Sequence, residues 1–394
     1  MKAEGIAEEM PSDAESAMES EAESERHASN LELFLDLVFV FAVTQIAGLL
    51  ATDTGPPGFL RGVLLAWLVW WLWSQFTWLG TAINLADRSL TQALILMAVP
   101  LAVLMAVAIP GAYGETAVEF AAAYLAVNLW ALAIQGRGLW AVEATRKAWL
   151  QYAPLATLAP CLMLVGAFLD RGPRTAVWCF VALFDVGSAL LAGRRSEPGG
   201  ADWTIDPVHF VERHSLFVII SLGEVLVAVG LAASEVKLEP EIGLAVVAAV
   251  SGACVLWWTY FSYVPGVIER VLRESDDRGR VARNMFSFGH FPIILGVVLY
   301  AVAAKHAVVH PGVPLHDSDL FALGASIAAF LGGFLALQWQ AAHRVAPERV
   351  VSIVVVAGLC LVAGPHIGGG ILIALVGLTI GCSHTITIRR FTRS

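Results

Sequence analysis

Charge is scarce in this chain. Only 14% of its 394 residues are Asp, Glu, Lys or Arg and 58% are hydrophobic, where a soluble protein carries about a quarter charged residues. With a mean hydropathy of +0.72 and apolar runs of about 20 residues recurring almost to the end, the length that crosses a bilayer as a helix, a soluble enzyme is excluded. Strand-like alternation is also missing, because the runs are continuous Leu/Val/Ala stretches, and this excludes a β-barrel. The five cysteines (Cys161, Cys179, Cys254, Cys360 and Cys382) all fall in apolar runs without a CxxC pair. They read as lipid-facing or packed small residues, not as a disulfide framework, zinc site or redox motif. No Walker A or dinucleotide fingerprint occurs, nor a nucleophile elbow, HExxH or di-iron pattern, so neither a cofactor nor a nucleic-acid partner is expected.

The charge that is present is unevenly placed. Residues 1–30 hold nine acids against Lys2 and Arg26, in a low-complexity segment (AEEMPSDAESAMESEAESERHAS) poor in large apolar residues. Such a segment cannot bury enough surface to offset its ordering entropy, so a disordered acidic tail is expected. It lacks the basic n-region and short apolar h-region of a cleavable signal peptide.

Apolar runs bounded by charges, Gly and Pro predict an all-α polytopic membrane protein of about twelve spans, at 31–50, 61–85, 89–109, 115–135, 149–169, 174–192, 207–233, 242–263, 283–304, 320–340, 350–364 and 367–388. The eleventh is short before Pro365, and a tilted, broken or re-entrant segment is open there. Lys and Arg test the count: twelve spans put 18 of the 24 on the side bearing both termini. By the positive-inside rule that side is cytoplasmic, and a bacterial inner-membrane location is expected.

The first span, LELFLDLVFVFAVTQI, resembles the seventh, VERHSLFVIISLGEVL, at an offset of 180. Trp70, Trp71 and Trp73 match Trp257, Trp258 and Tyr260 at 187, and Pro100 matches Pro292 at 192. Two parallel six-helix halves, 31–192 and 207–388, are expected after the tail 1–30, an arrangement with the site between halves in many secondary transporters. Small residues (Gly377 and Gly381 in the last span, Ala325, Ala329 and Gly333 in the tenth) favour close helix packing and offer faces for an oligomer.

An ionisable side chain at the centre of a span costs about 2.5–3.5 kcal/mol on insertion scales, so each one is a functional candidate. Asp36 lies about 9 Å into the first helix, Glu32 one turn before it on the same face, and Gln45 further out. In the seventh span His209, Glu212, Arg213 and His214 crowd the cytoplasmic third, and Glu224 sits mid-span with no obvious basic partner at its depth. Arg213 is the natural partner of Asp36. His290, between Gly289 and Phe291-Pro292, marks a polar spot where a proline removes a backbone hydrogen bond. Asp185, Glu119, Asn128, Asn84 and Asp87 read as structural. His209 and Glu212 have i, i+3 spacing without a third ligand, so no metal is expected. The mid-span Trp70, Trp71 and Trp73 read as core packing or as a pocket wall.

LELFLDLVFVFAVTQ, IDPVHFVERHSLFVIISLGE, WWTYFSY and FGHFPIILG, in that order over about residues 29–390, resemble the bacterial low temperature requirement A family. Phe34-Leu35-Asp36 departs slightly from that family's Phe-Phe-Asp, and Phe288 stands where a Tyr is common. The resemblance implies a multi-pass inner-membrane protein without an established activity, and places the family pattern on Glu32, Asp36, Gln45, His209, Glu212, Arg213, Leu222, Gly223 and Glu224. An ion- or proton-coupled secondary transporter of a small molecule or ion is the leading expectation, working in contact with the lipid bilayer. A channel and a membrane-embedded lipid-acting enzyme are the alternatives.

Overall fold

The computed structural model describes residues 28–53, 55–82, 89–140, 143–195 and 205–391. The acidic tail through residue 27, together with Asn84 and Asp87, lies outside the described residues. Among those residues there is no strand, and twelve helices are long and apolar enough to cross a membrane. The first six are α1 (Asn30–Thr52), α2 (Pro56–Ala82), α3 (Ser89–Val107), α4 (Ala117–Leu139), α5 (Glu143–Ala167) and α6 (Arg171–Arg195). The second six are α7 (Pro207–Ser234), α8 (Pro240–Phe261), α9 (His290–Val309), α10 (Asp317–Ala342), α11 (Pro347–Gly358) and α12 (Gly369–Phe391).

Local chemistry fixes the helix starts near the site. Ser29 caps α1: its hydroxyl accepts from the Glu32 N–H at 3.3 Å, and the Glu32 carboxylate accepts from the Ser29 N–H at 2.9 Å. This reciprocal box satisfies two N–H groups that the first turn leaves free. Helix α1 starts at Asn30, the last residue of the expected tail. Asp206 caps α7 by accepting from the N–H groups of Val208 and His209, with Pro207 in the first turn, where a missing N–H is harmless.

Two expected spans are built differently from a plain helix. The ninth is not interrupted at Pro292; the irregularity lies a turn earlier, where Arg283–Phe288 winds as a π-helix and the Gly289 N–H reaches back to Asn284 at 3.0 Å. Trp70 meets this segment, its indole N–H donating to Ser287 O at 2.7 Å. The eleventh continues beyond α11 through a π turn (Leu359–Ala363) and a 3-10 turn (Gly364–His366), and Pro347–His366 is long enough to cross. An amphipathic helix, Val264–Glu274, follows α8 and buries Val264, Ile268 and Leu272, one per turn, against α7 and α10. Its apolar stripe lies inside a basic loop, where hydropathy does not mark it.

The neighbours of the first six helices recur among the second six. Helix α1 packs on α2 and α3, as α7 packs on α8 and α9; α3 packs on α4, as α9 on α10; α2 meets α6, as α8 meets α12. The first six helices meet the second six along a seam of α1 and α2 against α7 and α9. Helix α9 is the most enclosed of the twelve. It lies close to α10 because Gly296 has no side chain: a Cβ there would stand 2.6 Å from Ser326 O and 2.7 Å from Phe330 N. The small residues of α12 and α10 are used inside the chain, Gly377 facing Gly252 of α8 and Gly333 facing Ile293 of α9. The cysteines are free, with Cys360 buried and Cys254 and Cys382 exposed.

Candidate functional site

Helices α1 and α7 run side by side in the same direction at the seam, and their polar residues meet in two layers. In the first, about 9 Å along each helix, Arg213 donates from Nη1 to Glu32 Oε1 at 2.7 Å and from Nη2 to Asp36 Oδ1 at 2.6 Å. His209 Nε2 donates to the same Glu32 carboxylate at 3.0 Å, and Trp73 Nε1 donates to Asp36 Oδ1 at 2.7 Å. Asp36 and Arg213 are 0% exposed. Glu32 and Asp36 share a helix face at i, i+4, which is why one guanidinium reaches both. Glu212, turned about 100° from Arg213, accepts from the Ala28 N–H at 2.8 Å and so holds the entry to α1.

Two carboxylates face one guanidinium in this dry layer, with the His209 imidazole set against Glu32. The polar valence of the layer is also incompletely used: Asp36 Oδ2, Arg213 Nε and His209 Nδ1 are buried without hydrogen-bond partners.

The second layer is deeper. Thr44 donates its hydroxyl to Glu224 Oε2 at 2.5 Å, about 21 Å along α1 and about 25 Å along α7. Glu224 is buried, and Lys305 on α9, unforeseen in the sequence, acts on it electrostatically. Thr44 and Glu224 are separated by 180 positions, the offset at which the first and seventh spans resemble each other. Between the layers along α1 and α7 stand Phe39 and Phe217, both buried, with the Trp73 ring packed on Phe217 at a centroid distance of 4.3 Å. The two polar layers are therefore divided by an aromatic one.

His214 and His290 belong to a separate buried group beside the first layer, their ring centroids 5.2 Å apart. Each donates from Nδ1 to a carbonyl, Phe210 O at 2.8 Å and Met285 O at 2.9 Å. A carbonyl only accepts, which fixes the protonated nitrogen of the neutral ring as Nδ1. His290 Nε2 then accepts from the Tyr260 hydroxyl at 2.8 Å, while His214 Nε2 is buried without a partner.

The structure thus joins Glu32, Asp36, His209 and Arg213 in one cluster and brings Glu224 to Thr44, His214 to His290, and Glu212 to the chain entry. Gln45 is only partly buried and joins neither layer. Thr44, Trp73 and Tyr260 are partners that the sequence reading missed. Trp70 and Trp73 are buried and hydrogen-bonded, whereas Trp257 and Trp258 are exposed. Of the residues read as structural, Asn128 donates to Gln75 at 3.2 Å, Asp185 is buried, and Glu119 is exposed in the first turn of α4.

Twelve apolar helices enclosing a buried charge cluster define a multi-pass, all-α membrane protein. The profile of the bacterial low temperature requirement A protein (LtrA) matches residues 27–383, nearly the whole chain, and the chain belongs to that family. It is similar to an uncharacterized protein of Rhizobium meliloti (strain 1021), with 27% identity over 338 residues, covering 81% of this chain and 79% of the relative. No solved structure matches.

Proposed function

We propose that the protein is an ion- or proton-coupled secondary transporter of a small molecule or ion, with the α1–α7 seam as its polar path. The observation that carries this reading is the two-layer arrangement: a dry cluster of two carboxylates, a guanidinium and an imidazole, then an aromatic layer, then Glu224 on Thr44. A carboxylate deep in a membrane protein exchanges protons or cations where its partner helix can move. Both layers lie between the proposed halves 31–192 and 207–388, so rocking of one half against the other opens or closes them. The repeated helix neighbours support that division, as does the contact between Thr44 and Glu224 at the repeat offset. In this reading the protein sits in the bacterial inner membrane with both termini in the cytoplasm, and the Glu32–Asp36–Arg213 cluster faces the cytoplasmic half.

The test is flux into liposomes carrying the purified protein, followed with an interior fluorescent pH probe under an imposed gradient, for wild type, Glu224→Gln and Asp36→Asn. Gradient-driven flux that both substitutions abolish without loss of folded protein supports the transporter. Absence of flux from folded, correctly inserted wild type removes it. Unitary currents in a planar bilayer would turn the same charges into a channel filter.

A further inference from the structure

Another buried cation lies away from the seam, where α8, α10, α11 and α12 converge on the face that gathers the basic loops. Arg349, in the first turn of α11, is 2% exposed, and both of its terminal nitrogens, Nη1 and Nη2, lack a hydrogen-bond partner. The adjacent carboxylate does not serve it: Glu348 is engaged by the Thr387 hydroxyl at 2.9 Å and by Arg390 at 3.0 Å. The guanidinium is instead clamped by aromatic rings, Phe334 at 5.0 Å and Tyr263 at 5.4 Å from its carbon to the ring centroid. Rings attract the faces of a guanidinium and leave its in-plane N–H groups, the ones that make bidentate bonds, unused.

A second unsatisfied group shares this place. His384 on α12 is 2% exposed, stacks on the same Tyr263 ring with centroids 6.1 Å apart, and is within electrostatic reach of Arg349. Its Nε2 meets the Ser262 hydroxyl at 3.1 Å, while Nδ1 is buried without a partner. The nearby hydroxyls of Ser352 and Ser383 are both spent on the Glu348 carbonyl. What remains unsatisfied is a fork of cationic donors and one imidazole nitrogen, with no carboxylate among the described residues bonded to either.

We propose that Arg349 and His384 form an oxyanion site for a phosphate group, with the guanidinium edge gripping two oxygens and His384, which takes up a proton on Nδ1 as the anion enters, donating to a third. A planar fork matches phosphate geometry, and charge-assisted bonds of this kind are the strong ones. The depth also fits: Arg349 opens α11 and Arg389 and Arg390 close α12, which sets the site at the level of lipid headgroups, where basic side chains draw anionic lipid. The phosphate comes either from a phospholipid headgroup or from free phosphate. The site shares no residue with the Glu32–Arg213 cluster and does not depend on transport.

The experiment uses the full chain in dodecyl maltoside, which carries no phosphate, and compares wild type with Arg349→Gln and His384→Asn. Binding of radiolabelled inorganic phosphate is measured directly, and phosphatidylglycerol against phosphatidylcholine by native mass spectrometry, with the thermal melting shift as a third readout. Saturable phosphate binding, weakened at least tenfold in Arg349→Gln, assigns the site to free phosphate. A retained phosphatidylglycerol adduct that is lost in that variant assigns it to the headgroup. If Arg349→Gln does not fold, His384→Asn is expected to weaken the same binding by a smaller factor. Neither ligand binding nor stabilising wild type overturns the proposal, as does binding that folded Arg349→Gln retains in full.

Discussion

At the scale of single residues, the Glu32–Arg213–Asp36 cluster behaves as a unit because one guanidinium serves two carboxylates with almost no exposure. Removing the cation strands both acids, and breaking a buried pair by deleting one partner costs about 3–5 kcal/mol. Arg213→Gln is therefore expected to lower the thermal midpoint far more than Asp36→Asn, since Asn can still accept from Trp73 while Glu32 neutralises Arg213. The double variant is expected to be less destabilised than the sum of the two, as a double-mutant cycle on the purified protein will show. Thr44 is tested in the same way. Thr44→Val leaves Glu224 without its hydroxyl donor and is expected to cost about 1–3 kcal/mol, whereas Thr44→Ser is expected to stay near wild type. The partner of Asp36 was legible in the sequence, because opposite charges at matched depth in two similar spans have few other choices. Thr44 was not, since a hydroxyl in a helix satisfies itself on the preceding turn, and only the crossing of α1 and α7 shows that it turns to a carboxylate.

Among helices, the α9–α10 contact depends on the absence of a side chain. Gly296→Ala places a methyl against backbone atoms of Ser326 and Phe330, which cannot move aside as a flexible side chain can, so a loss of about 1–3 kcal/mol is expected by overpacking. Gly381→Ala, whose Cβ would meet Val255 at an ordinary 3.8 Å, is the control and is expected to melt like wild type. Pro292 is a third case. The sequence marks it as a breaker, but a proline in the opening turn of a helix gives up no bond that turn would make. The irregular winding falls in the π turn before it, where Trp70 donates to the Ser287 carbonyl. A proline's effect depends on where its helix starts, and composition does not fix that within a turn.

For the whole molecule, the order of the helices makes the α7–α8 and α8–α9 connections lie on opposite faces of the membrane. In a variant with the five native cysteines replaced, Lys237→Cys is expected to react with an impermeant maleimide added to intact cells. Arg280→Cys is expected to react only after permeabilisation. The reverse pattern inverts the proposed orientation and moves the Arg213 cluster to the outer half. The charge asymmetry behind this expectation was readable directly, because insertion acts on loop charges before tertiary packing exists.

The sequence by itself determined the class of protein, the number of spans and the family, because crossing hydrocarbon demands long apolar helices and leaves any buried charge conspicuous. It also singled out Glu32, Asp36, His209, Arg213 and Glu224. Only the tertiary structure decided which of these meet: that Arg213 bridges two acids, that aromatic rings part this cluster from Glu224, that His290 serves Tyr260, and that Arg349 is left unpaired. Pairing depends on how helices distant in the chain turn and cross, and a single helix carries no record of the face its neighbour will present.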